Sequence, residues 1–225
     1  MAGPRGLIVA IDGVIGAGKS TVARGVAAAL GYRHLDTGAM YRAVALSARR
    51  LGIEPRDADR LQSLLDGLRL DLEPEDEGGR IRVDGTDVSD AIRSPEVSRV
   101  VGSYADIPAV RRALVRQQQS AGHLGGVVAE GRDVTSVVFP DADLKIYMVA
   151  DLEERARRRH LEFQRQDVDI SLEQVRSDIE QRDREDAVRD YGGEDASDPV
   201  EVDTTGLDIA SVVAQIISLA QQLGA

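Results

Sequence analysis

The sequence predicts an α/β fold, a parallel sheet covered on both faces by helices, and three observations carry that expectation. Short apolar runs rich in β-branched residues alternate along the chain with segments whose apolar residues recur at helical spacing. The first run, Leu7-Ile8-Val9-Ala10-Ile11, leads into a glycine-rich turn, Gly13-Val14-Ile15-Gly16-Ala17-Gly18-Lys19-Ser20, and a helical pattern follows it. At 225 residues the chain has room for one such domain with insertions, and too little for two domains of typical size.

Taken in order, the 7–11 run reads as a fully buried strand, five apolar residues with no polar break. Thr21 to Leu30 reads as a helix, with Val22, Val26 and Leu30 on one face. Tyr32-Arg33-His34-Leu35-Asp36 is a weaker strand, and a helix is expected from Ala39 to about Leu51. Residues 68–88 then break the rhythm. Leu68, Leu70, Leu72, Ile81 and Val83 follow a period of two around Glu77-Gly78-Gly79, which reads as a turn. That is antiparallel structure inserted into an α/β protein, so a small satellite unit is expected over roughly 64–104. Gly126-Val127-Val128-Ala129 and Leu144-Lys145-Ile146-Tyr147-Met148-Val149 are two further buried strands, and Val200-Glu201-Val202-Asp203 is a fifth. A closing helix over Leu207–Leu223 carries Ile209, Val212, Val213, Ile216 and Ala220 at helical spacing. The sequence has no internal repeat and no low-complexity tail.

A second break falls at 151–190, where 22 of 40 residues are charged, 13 acidic and nine arginine. Such a run is usually a solvated helix face. Arg155, Arg157, Arg158 and Arg159 within five positions, beside a phosphate-binding loop, also suit a clamp on phosphate. Few apolar residues are expected to anchor this segment.

Composition narrows the class of partner. A net charge of -11 sets the chain against a nucleic-acid polymer, whose backbone it would repel, and aromatic residues at 3 % offer few stacking platforms. Cysteine is absent, which removes disulfides and thiolate metal sites and suits a reducing cytoplasm. Met1-Ala2-Gly3-Pro4-Arg5 runs into an apolar stretch too short for a signal sequence or a membrane span. The expectation is a cytoplasmic protein acting on small molecules. It is expected to be a monomer, since no long apolar stripe is left over.

The 13–20 run fits G-x-x-x-x-G-K-[ST], the phosphate-binding P-loop, in its proper strand-to-helix context. Its three glycines let successive backbone N–H groups turn toward phosphate oxygens, and the following helix adds the positive end of its dipole. Lys19 offers a compact charge to the β- and γ-phosphates, and the Ser20 hydroxyl is suited to ligate Mg²⁺. The chain holds 26 arginines but only two lysines, Lys19 and Lys145. Arginine is no substitute in a P-loop, because a planar fork does not fit where a point charge does.

A P-loop alone does not name a reaction, since GTPases, ATPases, transporters and kinases share it. The chain has no asparagine, so the N-K-x-D guanine-reading motif is absent. Three more clusters carry charge, the first two where strands give way to helices, the edge at which such sheets bind ligands, and the third on one helix face. They are Asp36-Thr37-Gly38-Ala39-Met40-Tyr41-Arg42, then Glu130-Gly131-Arg132-Asp133, then Arg182, Asp186 and Arg189 at i, i+4 and i+7. Helix salt-bridging would account for the last alone.

At this level of detail the chain resembles the bacterial cytidylate kinases. The resemblance rests on IDGVIGAGKST (11–21), LDTGAMYRAVAL (35–46), VDGTDVSDAIRSPEVS (83–98), VRRALVRQQ (110–118), EGRDVTSVVFPDADLKIYMVA (130–150), EERARRR (153–159) and RDREDAVR (182–189). It implies a P-loop core with a five-stranded parallel sheet (1–63, 105–150, 191–225), a monophosphate-binding insert (64–104) and an arginine-rich helical lid (151–190). It implies transfer of a phosphoryl group from ATP, with Mg²⁺, to CMP or dCMP. On the donor side it implies ATP binding by Gly13 to Thr21 and Arg158, with Lys19, Arg132, Arg158 and Arg159 acting on the transferring group. On the acceptor side Arg42, Arg132 and Arg189 match the holders of the CMP phosphate, with Thr37 and Tyr41 beside them. Arg182 and Asp186 match the sugar contacts, and Arg111 and Asp133 the base readers. Cytosine presents an amino donor and two acceptors, for which a carboxylate and a guanidinium are complementary. A base-site serine of the family falls near Gly102-Ser103, with Ser103 the candidate. Position 187 is Ala where serine is frequent, and Asp190-Tyr191-Gly192-Gly193 replaces a usual Ala-Pro-Leu run. A kinase for UMP, AMP or shikimate, or a module that binds nucleotide without transfer, stays open at this point.

Overall fold

The computed structural model describes residues 6–72, 80–165, 167–187 and 198–225. In chain order the elements are β1 (Ile8–Gly13), α1 (Lys19–Leu30), β2 (Arg33–Asp36), α2 (Thr37–Arg50), α3 (Ala58–Gly67), β3 (Leu70–Leu72), β4 (Ile81–Val83), β5 (Thr86–Asp87), α4 (Pro95–Ala105), α5 (Pro108–Gly122), β6 (Val127–Glu130), β7 (Leu144–Val149), α6 (Leu152–Arg165), α7 (Leu172–Ala187), β8 (Val200–Asp203) and α8 (Ile209–Gln222). The chain divides into two compact units, Met1–Tyr32 with Gly125–Ala225, and Arg33–Leu124.

All five strand runs read from the sequence form strands of one sheet, in the order β2-β6-β1-β7-β8. The pairs β1–β6, β1–β7 and β7–β8 are parallel, with Ile11 opposite both Glu130 and Ile146. This order places β1 between β6 and β7, so the loops leaving β1 and β6 emerge side by side at one edge. The apolar runs that predicted the inner strands are buried in the core of the first unit. Val9, Ile11, Val128, Ile146, Met148 and Val202 pack there against Val22 and Val26 of α1 and Val212 and Ile216 of α8. The two helices approach closely, because a Cβ on Gly25 would lie 2.8 Å from Val213 Cγ2.

In the second unit the inner face of α2, Ala39 and Ala43, packs with Ile81, Val88 and Ile92 against an antiparallel sheet in the order β3-β4-β5. Leu70 pairs with Val83 and Leu72 with Ile81, so the predicted period-two segment is antiparallel where it is described. The expected turn at Glu77-Gly78-Gly79 lies outside the described residues. Asp84 and Gly85 join β4 to β5 with φ of 49° and 80°, the two-residue turn that Asp-Gly favours in hairpins.

Several boundaries shift from the expected ones. α2 begins at Thr37, two residues early, because Asp36 accepts a hydrogen bond from Ala39 N at 2.8 Å and caps the helix there. α1 begins at Lys19, directly after the left-handed Gly18 (φ 91°). α3, α4 and α5 are helices to which the hydrophobic pattern assigned nothing. The charged 151–190 segment is better anchored than its composition suggested. Ala156 of α6 packs against Val175 and Ile179 of α7, with Leu152, Phe163, Ile170 and the P-loop residue Ile15 around them. Among the described residues no helix is long and apolar enough to cross a membrane.

Candidate active site

The P-loop is shaped by the strand it leaves and by what packs over it. A Cβ on Gly13 would fall 2.1 Å from Met148 O of β7, so no other residue fits there, and Val14 N donates to the same oxygen at 3.1 Å. Gly16 has a φ of 79°, and a Cβ there would meet the Arg155 Cβ at 3.1 Å. Ala17 is buried, whereas Thr21 is exposed in the first turn of α1. The open N–H groups of that turn follow Gly18 and are available to phosphate.

Lys19 Nζ donates to Gly13 O at 2.7 Å and Val14 O at 2.9 Å, which folds the ammonium back over the loop. Burial lowers its pKa from 10.5 to about 8, and the Arg132 cation pushes the same way. Glu130 and Asp12 pull it back up. Ser20 Oγ donates to Glu130 Oε1 at 2.7 Å, and Glu130 is buried at the end of β6. A hydroxyl and a carboxylate side by side at the P-loop are hard oxygen donors, a set that fits Mg²⁺.

Beyond Glu130 the chain stays tied to β1, with Gly131 N donating to Ile11 O at 3.0 Å. Arg132 and Asp133 follow and open a π-type turn over Val134–Val138, in which Val138 N reaches Asp133 O at 3.1 Å and Phe139 N reaches Val134 O at 2.8 Å. Asp133 is buried and Arg132 partly so. Arg132 forms an ion pair with Asp186 of α7, and Arg182 Nε lies 3.7 Å from the same carboxylate. Lys19, Ser20, Arg132, Asp133, Arg182 and Asp186 thus all belong to the first unit. Arg189 and Asp190–Gly193 lie outside the described residues.

The four clustered arginines of α6 are held differently, Arg157 by Glu154 of its own helix at 2.8 Å. Arg155 is buried: its Nε donates to Ala150 O at 2.9 Å and its Nη1 to Ile15 O at 3.2 Å, while Asp183 of α7 takes both terminal nitrogens at 2.8–3.0 Å. It is a joint between P-loop, α6 and α7, where the spacing suggested a phosphate clamp. Arg158 reaches across to the turn after β8, with Nη2 donating to Thr204 O at 2.6 Å and Nη1 to Thr204 Oγ1 at 3.0 Å. Arg159 pairs with Glu162 at 2.6 Å and lies 4.5 Å over the Phe163 ring.

In the second unit, Thr37 is the first residue of α2 and is buried, as is Tyr41 one turn on. Arg42 Nη1 donates to Ser98 Oγ at 2.9 Å. Arg111 lies in the first turn of α5. Ser103 is exposed in α4, and its hydroxyl donates to Val100 O at 2.7 Å. Three residues that the motif reading gave no role are built into the first unit: Asp12 against the 134–135 backbone, Asp183 on Arg155, and Thr204 under Arg158. Asp12 adjoins the P-loop in sequence, and only its burial marks it.

The family model described as cytidylate kinase matches residues 9–222. The chain belongs to the cytidylate kinase family. A cytidylate kinase of Geobacter sulfurreducens is 42 % identical over 222 residues, which cover 98 % of this chain and 95 % of that protein. One of Desulfitobacterium hafniense is 46 % identical over 216 residues, 96 % of this chain and 93 % of its own length. A solved structure of an uncharacterized protein from Eubacterium ventriosum shares the fold, with a TM-score of 0.51 over 96 % of this chain and 98 % of its own at 13 % identity. Membership of the family spans both units, so the motifs matched in each belong to one inherited design.

Proposed function

We propose that the chain transfers the γ-phosphoryl group of ATP to CMP or dCMP, giving ADP and CDP or dCDP. The observation that carries this reading is the placement of two motifs on neighbouring parallel strands. The P-loop leaves β1 and the Glu130–Asp133 cluster leaves β6, with Ile11 and Glu130 in register. One end of the sheet therefore offers a triphosphate cradle beside an arginine–aspartate pair.

The chemistry needs little from the protein beyond positioning and charge. A CMP phosphate oxygen is anionic at neutral pH and attacks without a general base. Lys19 swings from the Gly13 and Val14 carbonyls to the β- and γ-phosphates and follows charge as the phosphoryl group moves. Mg²⁺, held by Ser20 beside Glu130 and by the phosphates, would neutralise the triphosphate. Arg158 and Arg159 contribute on the donor side with Gly13–Thr21. Arg42, Arg132 and Arg189 hold the acceptor phosphate, with Thr37 and Tyr41 alongside. Arg182 and Asp186 contact the sugar, and Arg111, Asp133 and Ser103 read cytosine. The division into a P-loop core (1–63, 105–150, 191–225), an insert (64–104) and a lid (151–190) belongs to the same reading. The lid closes over both nucleotides to keep water from the γ-phosphate. The working form is a cytoplasmic monomer.

ADP release measured side by side with CMP, dCMP, UMP, AMP and shikimate tests the reading. Turnover with CMP or dCMP well above the others is expected. A preference for another acceptor, or ATP binding without transfer to any, would refute it.

A further inference from the structure

Asp12 is the last side chain of β1 before the P-loop glycines, and it is 2 % exposed. A buried carboxylate demands donors, and this one has three from a single segment. Oδ1 accepts from Val134 N at 3.0 Å, and Oδ2 accepts from Thr135 N at 2.8 Å and from Thr135 Oγ1 at 2.7 Å. Those two N–H groups open the π-type turn that begins immediately after Arg132 and Asp133. From the strand side, Gly131 N is tied to Ile11 O. The Arg132–Asp133 pair is therefore clamped on both sides by consecutive residues of β1, Ile11 through its carbonyl and Asp12 through its carboxylate.

We propose that Asp12 is a positioning residue for the acceptor: by clamping the Val134–Thr135 backbone to β1 it sets where Arg132 and Asp133 stand relative to the P-loop. This rests on the acceptor roles given to Arg132 and Asp133 above. The demand on the clamp is geometric. In-line transfer tolerates little misplacement between donor and acceptor, and a single π-type turn has little stiffness of its own. A carboxylate suits the task because both of its oxygens accept. An amide at position 12 would turn an N–H₂ group toward a backbone N–H and lose one side of the clamp. Burial raises the Asp12 pKa, and its hydrogen bonds from Thr135 and Val134 act against that rise. Asp12 also feels Lys19, which makes an action through the P-loop the competing explanation.

The test uses Asp12→Asn and Thr135→Val in the full-length enzyme, with KM for CMP and for ATP measured separately, kcat/KM compared for CMP and UMP, and melting temperatures recorded. Expected for Asp12→Asn is a rise in KM for CMP of roughly tenfold or more, KM for ATP within about twofold, and a smaller CMP-over-UMP preference. Thr135→Val removes one hydrogen bond and no charge, so it should move the same quantities the same way by less, and it carries the test if Asp12→Asn fails to fold. A rise in KM for ATP with CMP unaffected would assign Asp12 to Lys19 and overturn the proposal. So would equal losses with CMP and UMP beside a fallen melting temperature, the mark of a purely structural role. The wild-type acceptor panel separates this from the functional reading. Should the wild type prefer another acceptor, and Asp12→Asn lose affinity for that acceptor alone, the CMP reading fails and the clamp stands.

Discussion

Raising the pH should weaken ATP capture before it slows turnover, because Lys19 holds its proton poorly until the phosphates arrive. In the unfolded chain this amine stays protonated to about 10.5, whereas in the free folded protein burial and Arg132 bring it to about 8. The gap corresponds to about 3 kcal/mol against the charged form. Glu130 and Asp12 favour the ammonium and Arg155 adds to the opposition, so the value reflects the whole cradle. The sign for folding follows from proton counts. Between about pH 8 and 10.5 the unfolded chain carries the extra proton, so stability attributable to Lys19 rises with pH across that window, and the penalty is complete below it. For catalysis the sign reverses, since only the ammonium serves the phosphates. With a pKa near 8, about nine-tenths of the free enzyme is competent at pH 7 and about one-tenth at pH 9. At saturating CMP, kcat/KM for ATP should therefore fall about tenfold between pH 7 and pH 9. Bound triphosphate raises the lysine again, so kcat should break at a distinctly higher pH. Initial rates over pH 6.5–10 with ATP varied would read both profiles (roughly half-unit steps suffice). A kcat/KM that stays flat to pH 9.5, or one that breaks at the same pH as kcat, would refute the account.

Three further outcomes follow from the site. Asp133→Ala should lower kcat/KM for CMP by roughly ten- to a hundredfold and affect UMP less, because a desolvated polar contact costs about 1–3 kcal/mol to lose; equal losses would remove Asp133 from base reading. Asp183→Ala leaves the buried Arg155 guanidinium without its bidentate partner. The aspartate is partly exposed, so the loss should be about 1.5–3 kcal/mol in urea unfolding, with an unchanged midpoint as the refuting result. Under limited trypsin, cleavage within 151–190 should slow with a bisubstrate analogue and slow less with ATP or CMP alone; equal cutting with and without the analogue would end the lid proposal.

Much of this molecule was legible in one dimension because its signals are local. A buried parallel strand must be a short apolar run, and three such runs became β1, β6 and β7 at the centre of the sheet, while the mixed runs at 32–36 and 200–203 became its edge strands β2 and β8. The P-loop is a backbone device, so its glycines, Lys19 and Ser20 announce themselves by spacing. The hairpin turn at Asp84-Gly85 is equally local, an Asp-Gly pair between two short strands. α5 was hidden for a physical reason: its buried stripe runs Val110, Leu114, Gln118, Gly122, and half of that stripe is polar or small.

Other features are set by contacts between distant segments, and no periodicity records them. Arginines 155, 158 and 159 look interchangeable in sequence, yet one is sealed against Asp183, one spans to Thr204 and one stacks on Phe163. Their fates depend on which way a helix of 3.6 residues per turn faces when it lies on the P-loop. Asp12 is the sharpest case. Its donors are more than 120 residues away, brought to it only because β6 pairs with β1. The sequence by itself determined the fold class, the phosphate loop and the family, since each rests on residues adjacent in the chain or periodic along it. Only tertiary structure decided which arginines are sealed as joints and which pair nearer the surface, because burial and partnership are properties of the packed sheet and not of the strand.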